Sequence, residues 1–131
     1  MFNDIVIRNF CSATFVGELA SPSLSICIGN PVCGDRIQIH LEVNAQRITC
    51  ARHRAWGCAT SIATGSIFCE AVEGIETTAA IMITKAEIAQ MLGELEPSQH
   101  HCLEMLHLLF DRLKESLHSK EGEKNEPTRL L

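Results

Sequence analysis

The sequence predicts an α+β domain in which a three-stranded antiparallel sheet packs against about five helices. Three observations carry this prediction. Ile37, Ile39, Leu41 and Val43 alternate with Arg36, Gln38, His40 and Glu42, the period of a strand with one buried and one wet face. Leu103, Leu106, Phe110, Leu113 and Leu117 recur at intervals of three and four, the apolar stripe of a long helix. Between them lies a run rich in small residues, Cys58 to Val72, suited to a helix packed close to the sheet.

Ile5, Val6, Phe10 and Cys11 sit at near-helical spacing, which predicts a short helix within Asp4 to Phe15. Ala20 to Ser23, with Pro22, reads as a loop. Leu24, Ile26 and Ile28 then alternate with Ser25 and Cys27 as a strand that ends at Gly29-Asn30-Pro31. After the strand of residues 36–43, Asn44-Ala45-Gln46 makes a short turn. Arg47 to Trp56 follows as the antiparallel partner, with Ala51, His53 and Ala55 on one parity and Arg52 and Arg54 on the other. His53 is read as a hydrogen-bonded core histidine, and the two arginines as a solvated face.

The helix opened by Cys58 carries Gly65, whose cost in helix propensity points to close packing, and Gly74 is its natural stop. Thr60, Ser61, Thr64 and Ser66 lack an acid-base partner at useful spacing and are read as helix packing. Ile75 to Ile83 is a further short helix. Thr84 and Glu87 form a capping-box pattern for a helix through Leu92 that stops at Gly93. Glu94 to Gln99, including Pro97, is a loop leading into the long helix. From Ser119 the chain is polar and charged. The expected organisation is one domain over residues 1–118 and a disordered polar tail over 119–131.

At 131 residues the chain holds one hydrophobic core. A net charge of -5 gives no general attraction to nucleic acid or anionic lipid. The apolar runs are too short for a membrane span, and the first residues lack the shape of a secretion signal, so a cytoplasmic protein with neither nucleic-acid nor membrane partners is expected. Seven cysteines, an odd number, disfavour a complete disulfide framework and favour reduced thiols engaged in metal or sulfur chemistry. Cys11, Cys27, Cys50 and Cys69 lie among apolar or small residues and are read as small buried hydrophobes.

The remaining cysteines fall in three segments: Asn30-Pro31-Val32-Cys33-Gly34-Asp35, Trp56-Gly57-Cys58-Ala59, and His101-Cys102. One tight turn at Gly34 can aim the Cys33 thiol and the Asp35 carboxylate at a common ion. Cys58 and Cys102 each fall at the start of a predicted helix, where unpaired N–H groups favour a thiolate, so both are expected to have lowered pKa values. Together they form a metal site at one end of the domain, with His101 as a further ligand and His100 beside it a weaker one. The spacing alone is weak: 24 residues separate Cys33 from Cys58, 43 separate Cys58 from Cys102, and there is no CxxC pair.

The order and separation of these segments, within NPVCGDRIQIHLEV, RITCARHRAWGCATSIATGS and HHC heading an amphipathic helix, resemble the IscU family of iron-sulfur cluster assembly scaffolds, also found as the N-terminal domain of NifU. The resemblance runs from about Gly29 to about Leu117. It implies the IscU/SufE-like α+β fold and a transient two-iron two-sulfide cluster held by Cys33, Asp35, Cys58 and Cys102, with His101 an alternative ligand for iron, or for zinc in the cluster-free protein. It also implies an assembly scaffold rather than an enzyme, with Cys102 the leading persulfide acceptor. Its partners would be a cysteine desulfurase, an electron donor such as ferredoxin, and acceptor apoproteins.

Two departures qualify the resemblance. The tyrosine, histidine and Pro-Arg-Asn turn frequent near the family's N-terminus are absent, leaving open what that segment docks against. The Leu-Pro-Pro-Val-Lys stretch recognised by an Hsp70-type chaperone is here Leu95-Glu96-Pro97-Ser98-Gln99, so chaperone docking in the usual manner is not expected. The gap between Cys33 and Cys58 also leaves no room for the insertion of the related SufU group. The competing reading is a zinc-binding sulfur-relay or structural protein that uses the same ligands without building a cluster.

Overall fold

The computed structural model describes residues 2–30 and 34–122, with side chains through residue 29 and from 34 to 118. Pro31, Val32 and Cys33 therefore lie outside the described residues, as does 123–131 of the expected tail. Among the described residues the elements are α1 (Asp4–Cys11), β1 (Leu24–Asn30), β2 (Asp35–Asn44), β3 (Arg47–Trp56), α2 (Ala59–Val72), α3 (Thr77–Ile81), α4 (Lys85–Leu92) and α5 (His100–Gly122), with a 3-10 turn, Pro97–Gln99, before α5. The α+β prediction holds: the strands form one antiparallel sheet in the order β1-β2-β3, and five helices accompany it.

The inner face of the sheet supplies Ile26, Ile28, Ile37, Ile39, Leu41 and Ile48, all buried. Against it lies α2, which is buried almost all round. Its small residues permit this, and Phe68 meets Phe110 of α5 with ring centroids 4.8 Å apart. The open outer face carries the arginines. Arg36 and Arg54 lie over the Trp56 ring at 4.8 and 5.5 Å, Arg54 pairs with Glu18 at 3.3 Å, and Arg52 pairs with Glu73 at 3.0 Å. The β2–β3 connection turns through Ala45 and Gln46, both with left-handed φ.

The N-terminal segment is anchored in its own way. Asn3 caps α1 by accepting from the Val6 N–H, and its amide donates to the carbonyls of Leu92, the last residue of α4, and of Glu94. Asn9 is buried and accepts the Ser66 hydroxyl at 2.8 Å, which ties α1 to α2. Phe15 and Gly17 then bond the backbone of His53 along β3. The capping box at Thr84 and Glu87 is present as the sequence indicates.

His53 differs from its sequence reading. It is 1% exposed, as expected of a core residue, but neither ring nitrogen has a hydrogen-bond partner among the described residues. The reason is the helix laid over it: a Cβ on Gly65 would stand 2.6 Å from His53 Nδ1, so α2 presses bare backbone on the ring and offers it no acceptor. Burial lowers the His53 pKa below its ordinary 6.5. The unfolded chain then binds this proton more tightly than the folded one, so stability is fully present above about pH 6.5 and declines as pH falls through that value toward the folded pKa. His53→Met should remove this component. Urea unfolding of the wild type and the variant at several pH values checks it, and an equally steep acid loss in both would exclude His53 as a source.

Candidate metal centre

The ends of β2, β3, α2 and α5 meet at one edge of the domain. Antiparallel pairing sets Arg36 opposite Trp56, so the chain leaves β3 beside Asp35, the first residue of β2. Gly57 then turns it, at φ +113°, into Cys58, the N-cap of α2. Only glycine serves here, for two reasons. That φ is strained for any side chain, and a Cβ would lie 2.0 Å from Asp35 Oδ1 and 2.9 Å from Asp35 Cα.

Through this contact Asp35, 8% exposed, takes hold of the start of α2. Its Oδ1 accepts from the Cys58 backbone N–H at 3.2 Å, and its Oδ2 lies 3.5 Å from Cys58 Sγ. His101, in the first turn of α5, places Nε2 3.9 Å from the same sulfur and 2.9 Å from Thr60 Oγ1. The donor atoms of Asp35, Cys58 and His101 all lie within 4.8 Å of one another. Ordinary zinc–ligand bond lengths and a tetrahedral angle put two ligand atoms of one ion about 3.6 Å apart. The sulfur–oxygen and sulfur–nitrogen separations are near that edge length, and a single ion would draw the three donors together from within 4.8 Å.

The other expected ligands stand differently. Cys33 lies outside the described residues. Cys102 is in the first turn of α5 as expected, but it does not belong to this mutually close set, and it is 1% exposed. His100, two positions before Cys102, is exposed and likewise outside the set.

The two helix-start thiols are therefore unlike, contrary to the expectation that both are acidic. At Cys102 burial raises the pKa, the neighbouring Cys58 adds to this, and the hydroxyls of Thr60 and Thr64 offset only part of it. At Cys58, which is exposed, burial also raises the pKa, but hydrogen bonds from Thr60, His101 and Ser61 outweigh it and the net shift is downward. Alkylation of the native, metal-free chain should accordingly modify Cys58 at least about tenfold faster than Cys102. Peptide mass mapping over time reads the order, and equal rates would show that the Cys102 thiol is open in solution.

The cysteines read as packing residues are only partly so. Cys69 is buried, and burial, aided by Glu73, pushes its pKa up. Cys27 and Cys50 are half-buried, with Cys27 Sγ accepting from Arg36 Nε at 3.4 Å. Cys11 is exposed, because α1 turns Val6 and Asn9 inward and leaves its last residue in water. Thr60 is what the sequence reading missed. Its hydroxyl, two positions after the N-cap cysteine, lies 2.7 Å from the Cys58 sulfur, and this spacing is visible in Cys58-Ala59-Thr60.

The sequence matches the NifU-like N terminal domain family over residues 1–117. The chain belongs to this family. The iron-sulfur cluster assembly scaffold protein IscU 1 of Archaeoglobus fulgidus is 34% identical to it over 102 residues, covering 78% of this chain and 67% of its own. The scaffold protein IscU of Aquifex aeolicus is 31% identical over 132 residues, covering 98% and 83%. A crystal structure of the N-terminal part of a NifU-like protein from Brucella abortus superimposes with a TM-score of 0.67 over 92% of this chain and 94% of that one. At 18% identity that match speaks for the fold of this NifU-like domain.

Proposed function

We propose that this NifU-like domain is a scaffold on which a two-iron two-sulfide cluster is built and from which it is passed to an acceptor apoprotein. The observation that carries the reading is the convergence of Asp35, Cys58 and His101, whose donor atoms lie within 4.8 Å of one another, beside Cys102. Relatives named iron-sulfur cluster assembly scaffolds support it. Cys33 and Cys102 complete the thiolate set in this reading. Asp35 is the hard oxygen donor among soft ligands, which makes the cluster labile enough to leave. The chain acts as carrier and assembly platform, not as an enzyme, and the cytoplasm is its expected place.

Sulfur would come from a cysteine desulfurase: a scaffold thiolate attacks the outer sulfur of the donor's persulfide, the donor thiolate departs, and the scaffold carries the new persulfide. Two one-electron transfers from a donor such as ferredoxin, with a proton from solvent, then reduce that persulfide to thiol and hydrosulfide. Cys58 is open to such an attack as it stands. Sulfur transfer to Cys102, the acceptor implied by the family resemblance, requires the first turn of α5 to turn its thiol outward. In the absence of iron the same ligands would take zinc.

Anaerobic reconstitution with ferrous iron and sulfide tests the proposal. Visible absorption of a cluster is expected, lost in Cys33→Ala, Cys58→Ala and Cys102→Ala but kept in Cys69→Ala, whose cost is packing stability alone. A colourless protein that retains one zinc under these conditions would instead favour the sulfur-relay reading.

A further inference from the structure

Thr60 belongs to none of the ligand types expected here, yet its hydroxyl stands between the ligands. Oγ1 is 2.7 Å from Cys58 Sγ and 2.9 Å from His101 Nε2, and the residue is 3% exposed. Its position is dictated by the helix. Thr60 is the second residue of α2, its carbonyl accepts the Thr64 hydroxyl at 2.6 Å, and its branched Cβ restricts the side-chain torsion. A hydroxyl both donates and accepts, so whichever neighbour holds the proton, this one oxygen can bond sulfur and nitrogen together.

We propose that Thr60 is a positioning residue, whose hydroxyl holds the Cys58 sulfur and the His101 ring near the separation of two ligands on one ion before any ion arrives, and gives up its bond to Nε2 when an ion takes that nitrogen. The inference rests on the reading of Asp35, Cys58 and His101 as metal ligands. Cys58 has no side-chain cap of its own on α2 and lies exposed, and His101 sits on a different helix 43 positions away in sequence. Among the described residues, Thr60 is the buried side chain with a hydrogen bond to both, so without it two independent rotamers must be ordered at the moment of binding.

The test compares wild type, Thr60→Val and Thr60→Ser in the metal-free full chain. Zinc affinity is read by competition with a chromophoric chelator, and the ring geometry of His101 by its side-chain nitrogen chemical shifts before metal is added. Thr60→Val, which keeps the shape and loses the hydroxyl, should bind zinc about tenfold more weakly and shift the His101 ring signals. Thr60→Ser should restore both. Wild-type affinity in Thr60→Val, or failure of serine to rescue, would overturn the role, the second outcome showing that the methyl group's packing is what matters. Should Thr60→Val not fold by circular dichroism, Thr60→Ala carries the same comparison. Cys58→Ala and His101→Ala separate the two levels: if neither weakens zinc binding, the ligand assignment itself fails, whatever Thr60 does.

Discussion

Gly57→Ala is expected to weaken zinc binding at the site by about a hundredfold. The new Cβ would fall 2.0 Å from Asp35 Oδ1 and 2.9 Å from its Cα, so either the Asp35 side chain leaves the site or the turn into α2 moves and takes Cys58 with it. The left-handed φ of +113° adds strain of about 1–3 kcal/mol for a residue with a side chain. Gly74→Ala is the control, because its φ of +92° carries comparable strain while a Cβ there meets nothing within 4 Å. Chelator competition and thermal melting on both variants distinguish the effects. The Gly74 variant should lose stability and keep zinc. Tight zinc binding in Gly57→Ala would show that the Asp35–Cys58 contact is dispensable.

Asp35→Ala should permit cluster assembly and slow cluster transfer to an apo-acceptor by about tenfold, equivalent to about 1.4 kcal/mol in the barrier. The most easily displaced ligand has gone, and the remaining site is less open to attack. Asp35 also borders a cleft of about 190 Å³ lined by Ile28, Ile37, Met105 and Leu108 together with Arg36 and Glu104, so its loss removes one of the charged groups there. The carboxylate also has a structural task that removal should expose: Oδ1 accepts the Cys58 N–H at the head of α2, and deleting that bond costs about 1 kcal/mol. Asp35→Asn separates the two, since its amide oxygen can still accept from Cys58 while its ligand strength is much reduced. A lower melting temperature of Asp35→Ala with unchanged transfer would confine Asp35 to the structural task.

Much of the fold was legible because its elements obey local rules. The strand of residues 36–43 alternates cleanly, since one face of a three-stranded sheet meets helices and the other meets water. The capping box of α4 and the leucine stripe of α5 depend on neighbours three and four positions away, which a linear reading sees directly. The tight approach of α2 to the sheet was likewise written in Gly65, although its partner, the ring of His53, was not.

The site was legible as a set of residue types but not as a set of states. By itself the sequence determined the sheet, the helices, the presence of Cys58 and Cys102 at two helix starts, and the candidate ligands Asp35 and His101. Only the tertiary structure decided that Cys58 is exposed with a lowered pKa while Cys102 is buried with a raised one. It alone showed that Thr60 joins Cys58 to His101. It also showed that Asp35 grips the head of α2 through the gap left by Gly57. The physical reason is that residue type and local spacing fix what a side chain can do. Its solvation and its partners depend on which surfaces the folded chain brings against it from far along the sequence.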